Sequence, residues 1–207
     1  MPKATKASIS PRKTPKQQRS KSLTEAILEA STRILSTLGY DAATTNRVAE
    51  MAGVSIGSLY QYFPNRDALI AGVIERHLKK QKEAFEQVIA SHDGEPAELV
   101  IDHIVSDMVD QFLQKRALIK SFFVHLPRLE KTREVLMLRN QAVDILVDFI
   151  HKQKSVTTKS EDVRLSFYIL VNAFVGVVHT YALTDDPPLT PNQLKRELAR
   201  LSKLYLL

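Results

Sequence analysis

Residues Thr44–Phe63 read TTNRVAEMAGVSIGSLYQYF, and this stretch decides the fold. Val48, Ala49 and Ala52 recur at helical spacing and give a first short helix one apolar side. Gly53 supplies the left-handed residue that ends it without a Cβ penalty. Ser55 then caps a second helix, its hydroxyl accepting one of the free backbone N–H groups. That helix runs to Phe63, just before Pro64. Helix, short Gly-containing turn, helix is the layout of a DNA-reading helix-turn-helix.

The surface chemistry of the second helix agrees. At 100° per residue Leu59 and Phe63 share the core side, whereas Gly57 and Gln61 point away, with Ser58 and Tyr60 on the flanks. The outward face is polar and uncharged, unlike an ordinary solvated face rich in Lys and Glu. Ser58 and Gln61 offer compact donors and acceptors, and Gln pairs bidentately with adenine. Gly57 permits close backbone approach and Ile56 suits a thymine methyl. The hydroxyls of Tyr60 and Tyr62 have a reach suited to phosphates.

The ordered run T-T-x-x-V-A-x-x-A-G-V-S-x-G-S-L-Y-x-Y-F, followed by Asn65-Arg66-Asp67-Ala68-Leu69, resembles the DNA-binding domain of the TetR family of bacterial transcriptional regulators. The resemblance covers roughly residues 22–76. It implies that Thr44, Thr45 and Asn46 lie against DNA with Arg47 as the nearest positive charge. It further implies that Ser55, Ile56, Gly57, Ser58, Tyr60, Gln61 and Tyr62 face the duplex, and that Arg66 contacts phosphate. The C-terminal two thirds match the family only in helical layout, so the resemblance leaves the ligand open.

The chain of 207 residues is long enough for one domain or two small ones with a sizeable core. It has no Cys, which excludes disulfides, thiolate catalysis and thiolate zinc sites. Net charge is +6 overall, yet residues 1–21 alone hold seven basic residues (Lys3, Lys6, Arg12, Lys13, Lys16, Arg19, Lys21) and no acid. The basicity therefore belongs to a Pro-containing arm, expected to be disordered alone, and not to the body. The arm lacks the apolar run of a secretory signal. It reads either as a solvated extension or as an arm that adds phosphate or minor-groove contacts.

The remainder reads as all-α, about nine helices in total. Ser22-x-x-Glu25 is a capping box that opens the first helix, with Gly39 as its stop. Asn65 caps a long helix reaching about His92. Further helices are expected from Ala97, over Ala117–Leu126, over Glu130–Lys152 and after Ser160, with 154–160 as a polar loop. Tyr168–Leu183 is nearly all apolar, shorter than the ~20 residues a bilayer requires, and holds Asn172 and His179. No membrane segment is expected, and burial against a second copy accounts for its composition. Thr190-Pro191-Asn192-Gln193 opens a last helix. The domains are thus a basic arm (1–21), a three-helix helix-turn-helix domain (22–76, motif about 44–63) and a helical ligand-binding and dimerisation domain (77–207).

In that last domain Met108, Phe112, Phe122, Phe123, His125, Tyr168 and Phe174 are candidates to line a pocket for a largely apolar ligand. Asn172, Val175, His179, Leu194, Leu198 and Leu201 are candidates for the dimer interface. The six histidines, His77, His92, His103, His125, His151 and His179, form no H-E-x-x-H or other close ligand spacing, and Gly-rich phosphate loops are absent. No metal, no cofactor and no enzyme activity are expected. The reading is a cytoplasmic, nucleoid-associated bacterial regulator that binds double-stranded DNA at a palindromic operator as a homodimer. It acts as a repressor released by an unknown small-molecule effector. Two rivals remain: a DNA-binding protein of the same fold without small-molecule control, such as an architectural or division factor, and a cytosolic enzyme with an incidental helix-turn-helix.

Overall fold

The structure, a computed structural model, describes residues 18–92, 94–123, 125–152 and 161–207. Most of the basic arm, the loop 154–160 and the side chain of Phe122 lie outside what it describes. Among the described residues there are nine helices and no strand. They are α1 (Gln18–Leu38), α2 (Thr45–Ala52), α3 (Ile56–Tyr62), α4 (Arg66–Ser91), α5 (Ala97–Gln114), α6 (Arg116–Phe123), α7 (Thr132–Lys152), α8 (Val163–Leu183) and α9 (Pro191–Leu206). The all-α expectation holds. The chain forms two compact units, one running to Lys79 and including Ala117–Arg133, the other comprising Lys80–Arg116 and Glu134–Leu207.

In the first unit, Ile27, Ile34 and Leu35 of α1 are completely buried, as are Val48 of α2, Leu59 of α3 and Leu69, Ile70 and Ile74 of α4. Ser31 shares the buried stripe of α1 without penalty because its hydroxyl donates to the Ile27 carbonyl at 2.7 Å. The helix starts at Gln18, not at the expected capping box. Glu25 is instead drawn to Arg76 of α4, whose Nε donates to its carboxylate at 2.8 Å, and Glu29 binds the same guanidinium.

Residues 117–133 were expected in the C-terminal domain, yet they pack with the first unit. Leu118, Ile119, Leu126 and Leu129 are buried there. The Ser121 hydroxyl donates to the Leu35 carbonyl at 2.6 Å, and Lys131 meets Glu75 at 2.5 Å. Helix α6 stops at Phe123, short of the expected Leu126. A turn follows in which Lys131 N–H donates to the Leu126 carbonyl at 3.0 Å and Glu130 adopts φ +56°.

In the second unit, α5 and α9 pack closely. Val100, Val109 and Phe112 of α5 are buried, as are Leu194, Leu198 and Leu206 of α9. Two ion pairs tie these helices, Lys195 to Asp110 and Lys203 to Asp102, both at 2.6 Å. Arg116 donates to the carbonyls of Ala182 and Thr184 at 2.6 and 2.7 Å, satisfying acceptors left free at the end of α8. The capping box at Thr190 and Gln193 is present, with Pro191 opening α9. Helix α8 begins at Val163, capped by Asp162, so its 21 residues exceed the expected apolar segment and reach bilayer-spanning length. Only 22% of its most apolar window is buried within the protomer.

Gly72 tests the packing of the first unit. A Cβ there would stand 2.9 Å from Phe63 Cε1 and 3.3 Å from Leu28 Cδ2. In an open helix Gly→Ala gains up to ~1 kcal/mol. Here overpacking dominates, and Gly72→Ala is expected to destabilise by about 1–3 kcal/mol, read as a lowered urea midpoint.

Candidate nucleic-acid interface

The turn between α2 and α3 closes as a Schellman motif. Gly53 sits at φ +66°, ψ 31°, its N–H donating to the Glu50 carbonyl at 3.1 Å, while Val54 N–H reaches the Ala49 carbonyl at 3.0 Å. The Ser55 hydroxyl oxygen accepts from Ser58 N–H at 3.1 Å and caps α3. Thr44 caps α2 likewise, accepting from Arg47 N–H at 3.3 Å. Two caps and one glycine therefore fix where each helix starts and where the first one stops.

Against the core, α3 places Leu59, Tyr62 and Phe63, which are 0, 7 and 2% exposed. Outward it presents Ile56, Gly57, Tyr60 and Gln61, all exposed, with Ser58 half-buried. The start of α2 adds exposed Thr44, Asn46 and Arg47 and half-buried Thr45. The Thr45 and Tyr60 hydroxyls lie 3.2 Å apart, linking the two helices, and those of Ser55 and Ser58 are 2.8 Å apart. The result is a surface of hydroxyls, amides and one guanidinium in which no acidic side chain of α3 intervenes.

Two expected contacts are corrected. Tyr62 faces inward: its position three residues after Leu59 puts it on the buried side, and its hydroxyl pairs with Ser20 of α1 at 2.9 Å. Arg66 folds onto Tyr40, its guanidinium carbon 4.3 Å from the ring centroid and its Nη2 donating to the Tyr40 carbonyl. It secures the linker that enters α2 and does not stand free for phosphate.

Tyr40 is the centre of a cluster that sequence reading missed. The His125 ring stacks on it at 3.6 Å. Arg128 forks onto Asp67 with two 2.9 Å bonds and also donates to the Tyr40 hydroxyl. Burial, opposed in part by Arg128, pushes the Tyr40 phenol above its ordinary pKa. Its partners lie 26 to 88 residues away in sequence, so no local pattern announces the cluster.

Residues 27–73 match the family model described as bacterial regulatory proteins, tetR family. The chain carries a TetR-family DNA-binding domain. Over 187 residues it is 25% identical to the uncharacterised HTH-type transcriptional regulator YhgD of Bacillus subtilis (strain 168), covering 87% of this chain and 92% of YhgD. It is 28% identical over 96 residues to the HTH-type transcriptional repressor KstR of Rhodococcus jostii (strain RHA1), covering 46% and 45% of the two chains. In fold it is similar to a candidate TetR-family transcriptional regulator from Mesorhizobium loti, with a TM-score of 0.78, 15% identity and coverage of 91% and 97%.

The remaining candidates fall in different places. His125 and Phe123 belong to the TetR-type unit; Met108, Phe112, Tyr168 and Phe174 belong to the second. Phe112 is buried, Tyr168 is half exposed, and His125 is occupied by Tyr40. A cavity of about 290 Å³ opens instead beside α8 and the α8–α9 turn, with Val177, Thr180, Tyr181 and Pro187 in its lining. Of the interface candidates, Leu194 and Leu198 are core residues of the protomer, and His179 packs on Phe112 with ring centroids 4.9 Å apart. Burial, reinforced by Arg139, pushes the His179 imidazole down to about 4. Asn172 accepts from Arg139 at 3.3 Å and donates to the Tyr168 carbonyl. Arg139, whose Nε is buried without a partner, was not foreseen. Val175 is half-buried and Leu201 is exposed.

This geometry predicts opposite signatures for two neighbours on α3. Gln61→Ala should relax preference at one base position by about 1–3 kcal/mol, whereas Tyr60→Phe should weaken binding to every sequence alike. Binding isotherms on an operator and its single-base variants separate the two outcomes. Equal losses on all sequences from Gln61→Ala would remove its base-reading role.

Proposed function

We propose that this TetR-family regulator is a homodimeric repressor that reads a palindromic operator and is released by a small, largely apolar ligand. The observation that carries the DNA half is the polar, uncharged, outward face of α3, held by Leu59, Tyr62 and Phe63 beneath it. Two such helices related by a twofold axis enter successive major grooves ~34 Å or more apart. The repressor sign is supported by the likeness to KstR, a transcriptional repressor in Rhodococcus jostii and in Mycolicibacterium smegmatis. Such a protein works in the bacterial cytoplasm, where its DNA is.

The dimer half rests on exposed apolar side chains. Leu165, Tyr168 and Ile169 follow helical spacing along one side of α8 and are 44–54% exposed. Leu201, Leu204 and Tyr205 add a second patch on α9. These residues replace Leu194, Leu198 and His179 as the proposed contact surface. Arg164, Asn172 and His179 within α8 fit a protein partner better than lipid.

The ligand half is supported by the apolar character of Met108, Phe112 and Phe174. A ligand releases DNA only through its preference for one of two dimer states. The second reading, a DNA-binding protein without small-molecule control, is favoured by the engagement of two lining candidates within the protein, Phe112 in the core and His125 on Tyr40. A thermal-shift screen of apolar small molecules separates them.

Leu204 is 67% exposed, so Leu204→Asp should leave the protomer folded. It is expected to shift the protein from dimer to monomer in light scattering and to weaken operator binding at least about tenfold. A variant that stays dimeric with unchanged affinity would refute the assigned face.

A further inference from the structure

The end of α4, the turn after it and the second turn of α5 bring together three side chains that the DNA-binding role does not use. Gly94, at φ +84°, tightens the turn, and Glu95 N–H reaches the His92 carbonyl at 3.3 Å. Glu95 Oε2 then lies 3.2 Å from His92 Nδ1 and 3.2 Å from His103 Nδ1. The two imidazole rings are stacked at 4.6 Å. One potential ligand atom from each residue falls within 4.8 Å of the others.

Two features point beyond a chance hydrogen-bonded trio. His92 Nδ1 is buried and makes no hydrogen bond: its approach to Glu95 has the distance but not the angles. Secondly, donor atoms bonded to one ion at about 2.0–2.1 Å in tetrahedral geometry stand roughly 3.3 Å apart, close to both His–Glu separations.

We propose that His92, Glu95 and His103 form a binding site for a divalent transition cation of the zinc class. Two imidazoles and one carboxylate suit zinc and its neighbours and disfavour calcium and magnesium, which take oxygen ligands. Three protein ligands leave a fourth position for water or an exogenous ligand. The His103 side chain is half exposed, so its ring can swing the small distance needed to close the set. The spacing H-x2-E-x7-H matches no familiar zinc pattern, and only the turn at Gly94 makes it compact.

The test uses the full chain, freed of any affinity tag and stripped with a chelator. Zn2+ is titrated in competition with a chromophoric chelator, and Co2+ absorption reports coordination. One ion per chain is expected, with the intense visible bands of four-coordinate Co2+. His103→Ala and Glu95→Gln alter surface side chains and should each weaken binding at least about tenfold with unchanged circular dichroism. His151→Ala, at the exposed end of α7, should not change it. Absence of stoichiometric binding, or affinity indifferent to both substitutions, overturns the site.

Discussion

Burial of Leu59, Tyr62 and Phe63 is the constraint on which the rest depends. Helix α3 has seven residues, well below the ~12–15 at which an isolated helix becomes even marginal in water. It exists because three side chains at i, i+3 and i+4 are removed from solvent and because Ser55 and Gly53 fix how the chain enters it. At about 25 cal/mol per Å² of apolar surface, anchoring of this kind outweighs what caps alone provide. The same burial leaves Gly57, Tyr60 and Gln61 no choice but to face outward, so stability and presentation share one cause.

Around that anchor the structure invests unexpected material. Arg66, Asp67 and Tyr40 join the linker before α2 to the start of α4, and Arg128 and His125 brace them from the turn after α6. The exposed Arg128–Asp67 pair adds little energy by itself, since surface ion pairs are worth at most about 1 kcal/mol. Its two-pronged geometry and the stacked ring add direction, which a reading head requires. In the second unit α5 and α9 bury one apolar face between them, whereas Leu201, Leu204 and Tyr205 of α9 and much of α8 stay exposed.

What could be read in advance was whatever the chain decides locally. The caps at Ser55 and Thr190, the left-handed Gly53 and the helix stop at Gly39 stood in the sequence because each involves neighbours within a few residues. The inward turn of Tyr62 was also legible, three residues from Leu59, but its hydroxyl drew attention to phosphate. Arg66, Ser22-x-x-Glu25 and residues 117–133 were misread for another reason. Their partners, Tyr40, Arg76 and the core of the first unit, are fixed only by tertiary packing. His92, Glu95 and His103 belong to the same class. The interface candidates on α9 failed at Leu194 and Leu198, because periodicity identifies an apolar face without saying whether α5 or a second chain covers it.

The central claim is that the outward face of α3 reads base edges, twice, in a symmetric pair. Selection of bound DNA from a random-sequence pool by the purified full chain tests it most directly. The account predicts enrichment of an inverted repeat whose half-sites lie about one helical turn or more apart. Recovery of no sequence preference, or of a single unrepeated half-site, would contradict it.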